Sequence, residues 1–428
     1  MLMNKARFLI LMICLYTVIS FSQQEKGIIG SSNWLTGWSA FKPNKFDYSE
    51  TTKILIGKIS SNFTLTNANV YLLQGKVYVT NNAILTIEPG TVIRGDFESS
   101  GTLIMTKGTK LIAEGTNNNP IVFTSNKPIG ERKPGDWGGI VMIGDAPINS
   151  FGGTSNLDLD LDVEYRAYGG ANIKNDAGIL KDVRIEFAGK AAEGFPNFNG
   201  LTLAGIGNLT KIDFVQVSYS INNSFYVLGG GLNLNNLVSY KCKLDDFEFT
   251  QGTQCNLNNS IAIRNAFLVS NITGSRCMEV SSYIKKENTD FSKKLTNVIA
   301  SNITLVNESD DGSGNSGLIR EAVKINNNAL LTLKNSVISG FSPAVIFNSL
   351  IEIKDENLKN INMLGVFINN CKGNIMTELG GVFNDDLEAY YSSVGFANLY
   401  AQSPAIEVFL DHKNEKTPDY RLKINKIN

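Results

Sequence analysis

The chain of 428 residues has a single histidine, His412. A Ser-His-Asp triad, a Cys-His pair or a multi-histidine zinc site therefore cannot be assembled in its body. Neither sign of charge dominates: 39 Lys and Arg face 40 Asp and Glu, and only 18% of residues are charged. This balance lacks the basic footprint that binding a phosphate backbone needs, which excludes nucleic acid as the expected partner. It excludes an acidic disordered tail as well.

Long apolar runs are missing after the first 22 residues, so no later stretch approaches the ~20 residues of a membrane-spanning helix. The one early run, Phe8 to Ile19, follows Lys5 and Arg7 and ends at Ser20-Phe21-Ser22. That pattern is a secretory signal, residues 1–22, cut before Gln23. Cys14 follows Ile13 instead of the small residue expected before a lipidated cysteine. The mature chain is expected in the periplasm or at the outer membrane, with the cell surface as a further location. Its four cysteines, Cys242, Cys255, Cys277 and Cys371, are disulfide candidates with three full pairings, or else buried thiols. Cys255 and Cys277 lie 22 residues apart, near one repeat period, which would suit a bridge between stacked coils.

What the chain has in quantity is glycine, 39 residues, among short alternating apolar segments. Val183-Arg-Ile-Glu-Phe, Val215-Gln-Val-Ser-Tyr, Leu237-Val-Ser-Tyr, Leu268-Val-Ser-Asn, Val298-Ile-Ala-Ser-Asn and Val337-Ile-Ser-Gly recur. Taking Glu186, Ser218, Ser239, Ser270, Ser301 and Ser339 as equivalent gives spacings of 32, 21, 31, 31 and 38. Asp182, Asp213, Asn236, Asn265, Asn297 and Asn335 precede these anchors as turn residues. Strands this short cannot bury an apolar face alone, whereas stacked coils can.

The fold class predicted is all-β, a right-handed parallel β-helix over 61–350. At ~27 residues per coil it would hold about eleven rungs. Residues 23–60, with Trp34, Trp38, Phe41 and Phe46, are expected to cap the N-terminal end. Residues 351–428 would add the last rungs and a cap, with a short helix starting from Asp385-Asp386 and carrying Leu387, Tyr390 and Tyr391.

The most distinctive run is Ile84-Leu-Thr-Ile-Glu-Pro-Gly-Thr-Val-Ile-Arg-Gly-Asp96, followed by Gly101-Thr-Leu-Ile, Leu111-Ile-Ala-Glu-Gly-Thr, Pro120-Ile-Val-Phe-Thr-Ser and Gly135-Asp-Trp-Gly-Gly-Ile-Val. With Val183-Arg-Ile-Glu-Phe-Ala-Gly189 and Leu201-Thr-Leu-Ala-Gly-Ile-Gly207, it resembles a family of secreted bacterial right-handed β-helix proteins of the pectate-lyase-like superfamily. The resemblance implies the fold; the superfamily includes lyases, hydrolases, adhesins and scaffolds. Where the family pattern has an Asp-Asp pair before Phe-Glu-Trp-Phe-Gly-Gly, this chain reads Asn222-Asn-Ser-Phe-Tyr-Val-Leu-Gly-Gly230. An acidic segment further on has become Ser275-Arg-Cys-Met-Glu279. These losses point to a diverged, non-catalytic member.

Asp245, Asp246 and Glu248 are the candidate carboxylates for glycoside hydrolysis, with Asp246 and Glu248 on one strand face and Phe247 and Phe249 turned into the core. A lyase would need a base, for which Arg264 and Arg276 are the nearby candidates, although arginine's high pKa makes it a demanding one. No cofactor is expected beyond calcium, for which the candidate ligands are Asp158, Asp160, Asp162 and Glu164 on one strand face, or Asp310 and Asp311 in a loop. The expected function is a non-catalytic cell-envelope scaffold presenting a surface to another protein or a glycan. Its partner would be an outer-membrane complex such as a TonB-dependent transporter. The alternative is a polysaccharide lyase or glycoside hydrolase acting on an acidic glycan.

Overall fold

The computed structural model describes residues 26–265, 275–308 and 321–423. The signal segment, Ser270, Asp310 and Asp311 lie outside the described residues. Three parallel sheets wind into a prism, joined at its corners by strands such as Val70–Val79, Gly178–Glu186 and Lys211–Ser218 that bend to serve two sheets. The bends fall at Gly75, Asp182 and Phe214, all with positive φ. Sheet A runs from Phe63–Leu65 to Ile361–Leu364, sheet B from Lys53 to Leu399–Ala401, and sheet C from the end of Lys53–Ile59 to Ile375–Thr377.

Alternation along each short strand sends every second side chain inward, and in-register stacking turns those side chains into columns. In sheet C one column reads Leu103, Ile140, Leu201, Phe225, Phe247, Met278, Val323, Val345 and Ile375. All are buried, and the Phe225 and Phe247 rings stack at 5.2 Å. At the corner from sheet A to sheet B, Asp182, Asn236, Asn259, Asn302 and Asn335 adopt the left-handed conformation, which Asx residues tolerate best after glycine. Their amides link coils: Asn259 donates to Asn236 at 2.7 Å and Asn236 to Asp213 at 2.8 Å.

The corner residues expected at Asp182, Asn236 and Asn335 are found there, but two others are displaced to Asn259 and Asn302, and Phe214 replaces Asp213. The anchors are also only partly equivalent. Glu186 stacks on Ser218, but Ser239 stacks on Val217 and Ser301 belongs to sheet A, between Asn258 and Lys334. Loops of unequal length break the numerical period. Phe123 and Ile185 are stacked neighbours although the segment 144–176 intervenes. The ladder extends from Lys53 to Ala401, starting before the predicted limit of 61 and ending with rungs in the segment 351–428 expected to add them.

The aromatic N-terminal segment does not close the end of the prism. It runs along the outer face of sheet B as a strap, from the Asn335 coil, where Gly27 donates to the Asn335 carbonyl at 2.8 Å, to the Arg94 coil, where Arg94 donates to the Ser49 carbonyl at 3.2 Å. Sheet B's outward side chains explain this: Val238, Tyr240, Ile261, Ile263, Val306 and Val337 are apolar and need a cover. Ile28, Leu35, Trp38 and Phe41 supply it, with Trp38 edge-on to Phe214 at 5.7 Å. Gln216 holds both the N–H and the carbonyl of Ala40 at 2.7 Å.

At the opposite end the helix Val382–Tyr391 does act as a cap, placing Leu387 and Tyr391 in the main core. It starts from Gly381, so Asp385 lies in its first turn and is not the N-cap. The chain then adds Leu399–Ala401 and an antiparallel hairpin, Phe409–Asp411 with Asp419–Leu422, which packs beside the strap.

Candidate functional site

Asp246 precedes the sheet C strand Phe247–Thr250, and Arg264 ends the sheet B strand Ile261–Arg264. The corner between the two sheets turns both side chains into the prism. Arg264 Nη1 donates to Asp246 Oδ2 at 2.8 Å and to the Arg276 carbonyl at 2.9 Å; Ser239 Oγ and Cys242 Sγ donate to Asp246 Oδ1. Neither member of the pair is exposed. Burial alone would lower the Arg264 pKa, but the Asp246 carboxylate, with Cys242 and Cys277 beside it, raises it. This overturns the expectation that Asp246 shares an outward face with Glu248, and it removes Arg264 as a base.

Asp245, also buried, accepts the Arg276 N–H at 2.7 Å. The Arg276 guanidinium donates to Glu321 at 2.5 Å and to Glu279 at 2.7 Å. Burial would depress its pKa, but Glu279, Glu321 and Asp245 raise it, so Arg276 is held as a cation and is no base either. Glu248 and Glu279 are ladder neighbours on the outward face of sheet C, where Asn326 donates to Glu279 at 2.8 Å. Burial raises the Asp245 and Glu248 carboxyls, with Glu279 adding to both and Asp245 to Glu248. Glu279 stands in the sequence as the remnant of a lost motif, three residues from its partner Arg276; the arginine's second partner, Glu321, becomes legible only when coils stack.

Of the predicted acids at this rung, Glu248 alone opens on a cleft, of about 490 Å³. Its floor is the outward face of sheet C, with Tyr226 beside Glu248 in register, and Asn223 donates to Glu248 Oε2. Its wall is the segment 144–176, anchored through Leu157, Leu161 and Tyr168 on Ile104, Val141, Ile143 and Leu228. Sequence reasoning missed Tyr226, Asn223 and Gln251. The substituted run from Asn222 to Gly230 was the available signal, read there as a loss.

The acidic segment Asp158 to Glu164 is no strand. It is irregular, between Ser155–Asn156 and Ala167–Tyr168, and so does not align alternate carboxylates. Lys76 lies 3.0 Å from Asp160 and 3.8 Å from Asp162, and Lys58 lies 2.8 Å from Glu164; Asp158 is exposed. Among the described residues no three His, Cys, Asp or Glu side chains converge as a metal site. Among the described residues Cys242, Cys255, Cys277 and Cys371 are buried and form no disulfide. Cys255 stacks between Leu232 and Val298 in sheet A, whereas Cys277 precedes a sheet C strand. Their 22-residue spacing is therefore not one coil, and the expected bridge does not form.

No described helix is long and apolar enough to cross a membrane. No curated protein and no solved structure matches the chain. A family model described as a pectate-lyase like beta helix domain matches residues 57–393, which takes in most of the prism and its capping helix. The chain belongs to the pectate-lyase-like β-helix family.

Proposed function

We propose that this protein is a non-catalytic, exported β-helix scaffold that binds a partner in the cell envelope. The observation carrying this reading is the internal pairing of its charged rung. Asp246 is neutralised by Arg264, Asp245 caps a backbone N–H, and Arg276 is shared between Glu279 and Glu321. A lyase needs a basic group free to take a proton, and both arginines at this rung are engaged as cations. In the envelope, the partner is an outer-membrane complex of the TonB-dependent transporter kind.

Affinity isolation of the native protein from detergent-solubilised membranes tests the role. A stoichiometric membrane protein is expected, and recovery as a free monomer counts against it. One observation favours a second reading, hydrolysis: the Glu248 carboxyl, raised by burial, borders the cleft as a general acid would. Release of reducing ends from a glycan panel, abolished by Glu248→Gln, would establish hydrolysis in place of the scaffold.

A further inference from the structure

We infer that copies of this chain associate head to tail, the outer edge of Lys53–Ile59 in one copy continuing sheet B beyond Leu399–Ala401 of the next. Self-association of this kind is independent of the envelope partner proposed above. Among the described residues Lys53–Ile59 pairs only with Val70–Val79, and Phe63–Leu65 only with Ile84–Ile87, so the first coil presents an uncovered edge. Ile54 and Ile56, on its outward face, are 60% and 67% exposed. At the far end the cap lies on the other two sheets. Its helix packs on Ile375–Thr377 of sheet C, and Tyr391 and Asn398 donate to the Ile361 and Met363 carbonyls of sheet A at 2.7 and 3.0 Å. Leu399–Ala401 pairs only with Phe367–Asn369 among the described residues and leaves the end of sheet B open.

The two edges are matched in hydrogen-bond direction. Leu399 donates to the Val366 carbonyl at 2.9 Å and the Ala401 carbonyl accepts from Asn370 at 2.8 Å, so both bond to the coil behind. Alternation then turns the N–H and carbonyl of Tyr400 toward the open end. At the first coil, the Leu73 carbonyl accepts from Asp96 of the following coil at 3.0 Å, so its neighbours Leu72 and Gln74 bond back to Lys53 and Leu55. Ile54 and Ile56 keep their N–H and carbonyl groups for a strand in front. A parallel strand bonded through Tyr400 to Ile54 and Ile56 sets Tyr400 opposite Leu55, both facing the core, and Leu399 opposite Ile54 on the outside. Core column and outer face both continue across the junction.

Charge favours this polarity over two like ends meeting. From Thr51 to Ile87 the chain has three lysines and no carboxylate, whereas from Gly373 to His412 it has six carboxylates and no lysine or arginine. Lys58 and Lys76 are bridged to Glu164 and Asp160, but Lys53 has no ion pair among the described residues, nor do Asp385, Asp386 and Glu388 on the capping helix. Lysine on a strand edge repels its own copy and suits an acidic end. Val382, Phe383 and Val394 are exposed at the acidic end and Phe63 at the basic one, so both ends also offer apolar area.

Sedimentation velocity of the full mature chain across the micromolar range tests this association. Concentration-dependent growth is expected, with rods lengthening in steps of one prism in negative-stain images. Ile54→Pro, which removes a donor that no neighbouring coil uses, and Leu399→Asp should each weaken self-association about tenfold or more. An equimolar mixture of the two variants should restore a complex of two chains and nothing larger, because one supplies the intact tail and the other the intact head. Melting curves establish that the variants are folded, and Ile54→Lys takes the place of a proline variant that is not. A chain that stays monomeric throughout, unchanged association in both folded variants, or a mixture that stays monomeric would overturn the inference. Association lost in Ile54→Pro but kept in Leu399→Asp would overturn it too, by showing two like ends paired.

Discussion

Arg264 and Asp246 meet at 2.8 Å with no part of either side chain open to water, joining the end of one coil's sheet B strand to the corner that opens a sheet C strand. Ser239, Cys242 and the Arg276 carbonyl complete the cluster, while Arg264 Nε has no partner among the described residues. Removing one charge strands the other in the interior, a loss of about 3–5 kcal/mol. Asp246→Asn should therefore lower the urea midpoint strongly, and the paired exchange Asp246→Leu with Arg264→Met should regain most of it. A midpoint unchanged in Asp246→Asn would contradict the cluster's structural role.

The strap is held by Trp38, which is buried against Phe214 and donates to the Trp34 carbonyl at 2.9 Å. Trp38→Ala is expected to cost about 3–5 kcal/mol, as for other buried aromatics. Limited proteolysis should then cut between residues 30 and 50 before the prism is attacked. Cleavage first within the coils would show that the strap is not the weak element.

The Asp245 carboxyl is pushed up to about 7, by burial first and the Glu279 charge second, with Arg276 opposing. Its unfolded value is about 3.9. The folded state holds the proton more tightly, so this contribution to stability is complete below about pH 4 and is lost as pH rises through 7. Melting temperatures should fall over that window in the natural chain and fall less in Asp245→Asn. Equal slopes in the two proteins would remove Asp245 as the source.

Burial raises the thiol pKa of Cys242, Cys255 and Cys277 well above the usual range. Without reductant, a denatured chain beginning at Gln23 should therefore titrate four thiols, and the native protein close to none over the same minutes. A non-reducing peptide map with any cystine-linked pair would contradict this.

The prism was legible because each strand carries its own alternation, as in Lys110–Glu114, where Leu111 and Ala113 point inward. The motif from Ile84 to Asp96 also lies wholly within successive coils. Which coil stacks on which was less legible, since Cys255 and Cys277 look one period apart and are not on the same sheet. Trp34 and Trp38 announced a cover but not its place, because sequence shows that aromatic residues need burial without showing where an apolar surface awaits them. The cleft was hidden for a similar reason: Tyr226 comes from one coil and Glu248 and Gln251 from the next, and their wall is the segment 144–176, far upstream in the chain.

Asn33 donates to the Pro418 carbonyl at 2.9 Å, and Arg421 to the Gly30 carbonyl at 2.8 Å. Residues made before any rung are thus latched by residues made after all of them. The Ser49 and Ala40 parts of the strap find their partners, Arg94 and Gln216, in early coils, but its Gly30–Asn33 end has neither of these two contacts until the last residues are made. Contacts this distant in sequence are slow to close, which makes the latch between the two ends a late step of folding.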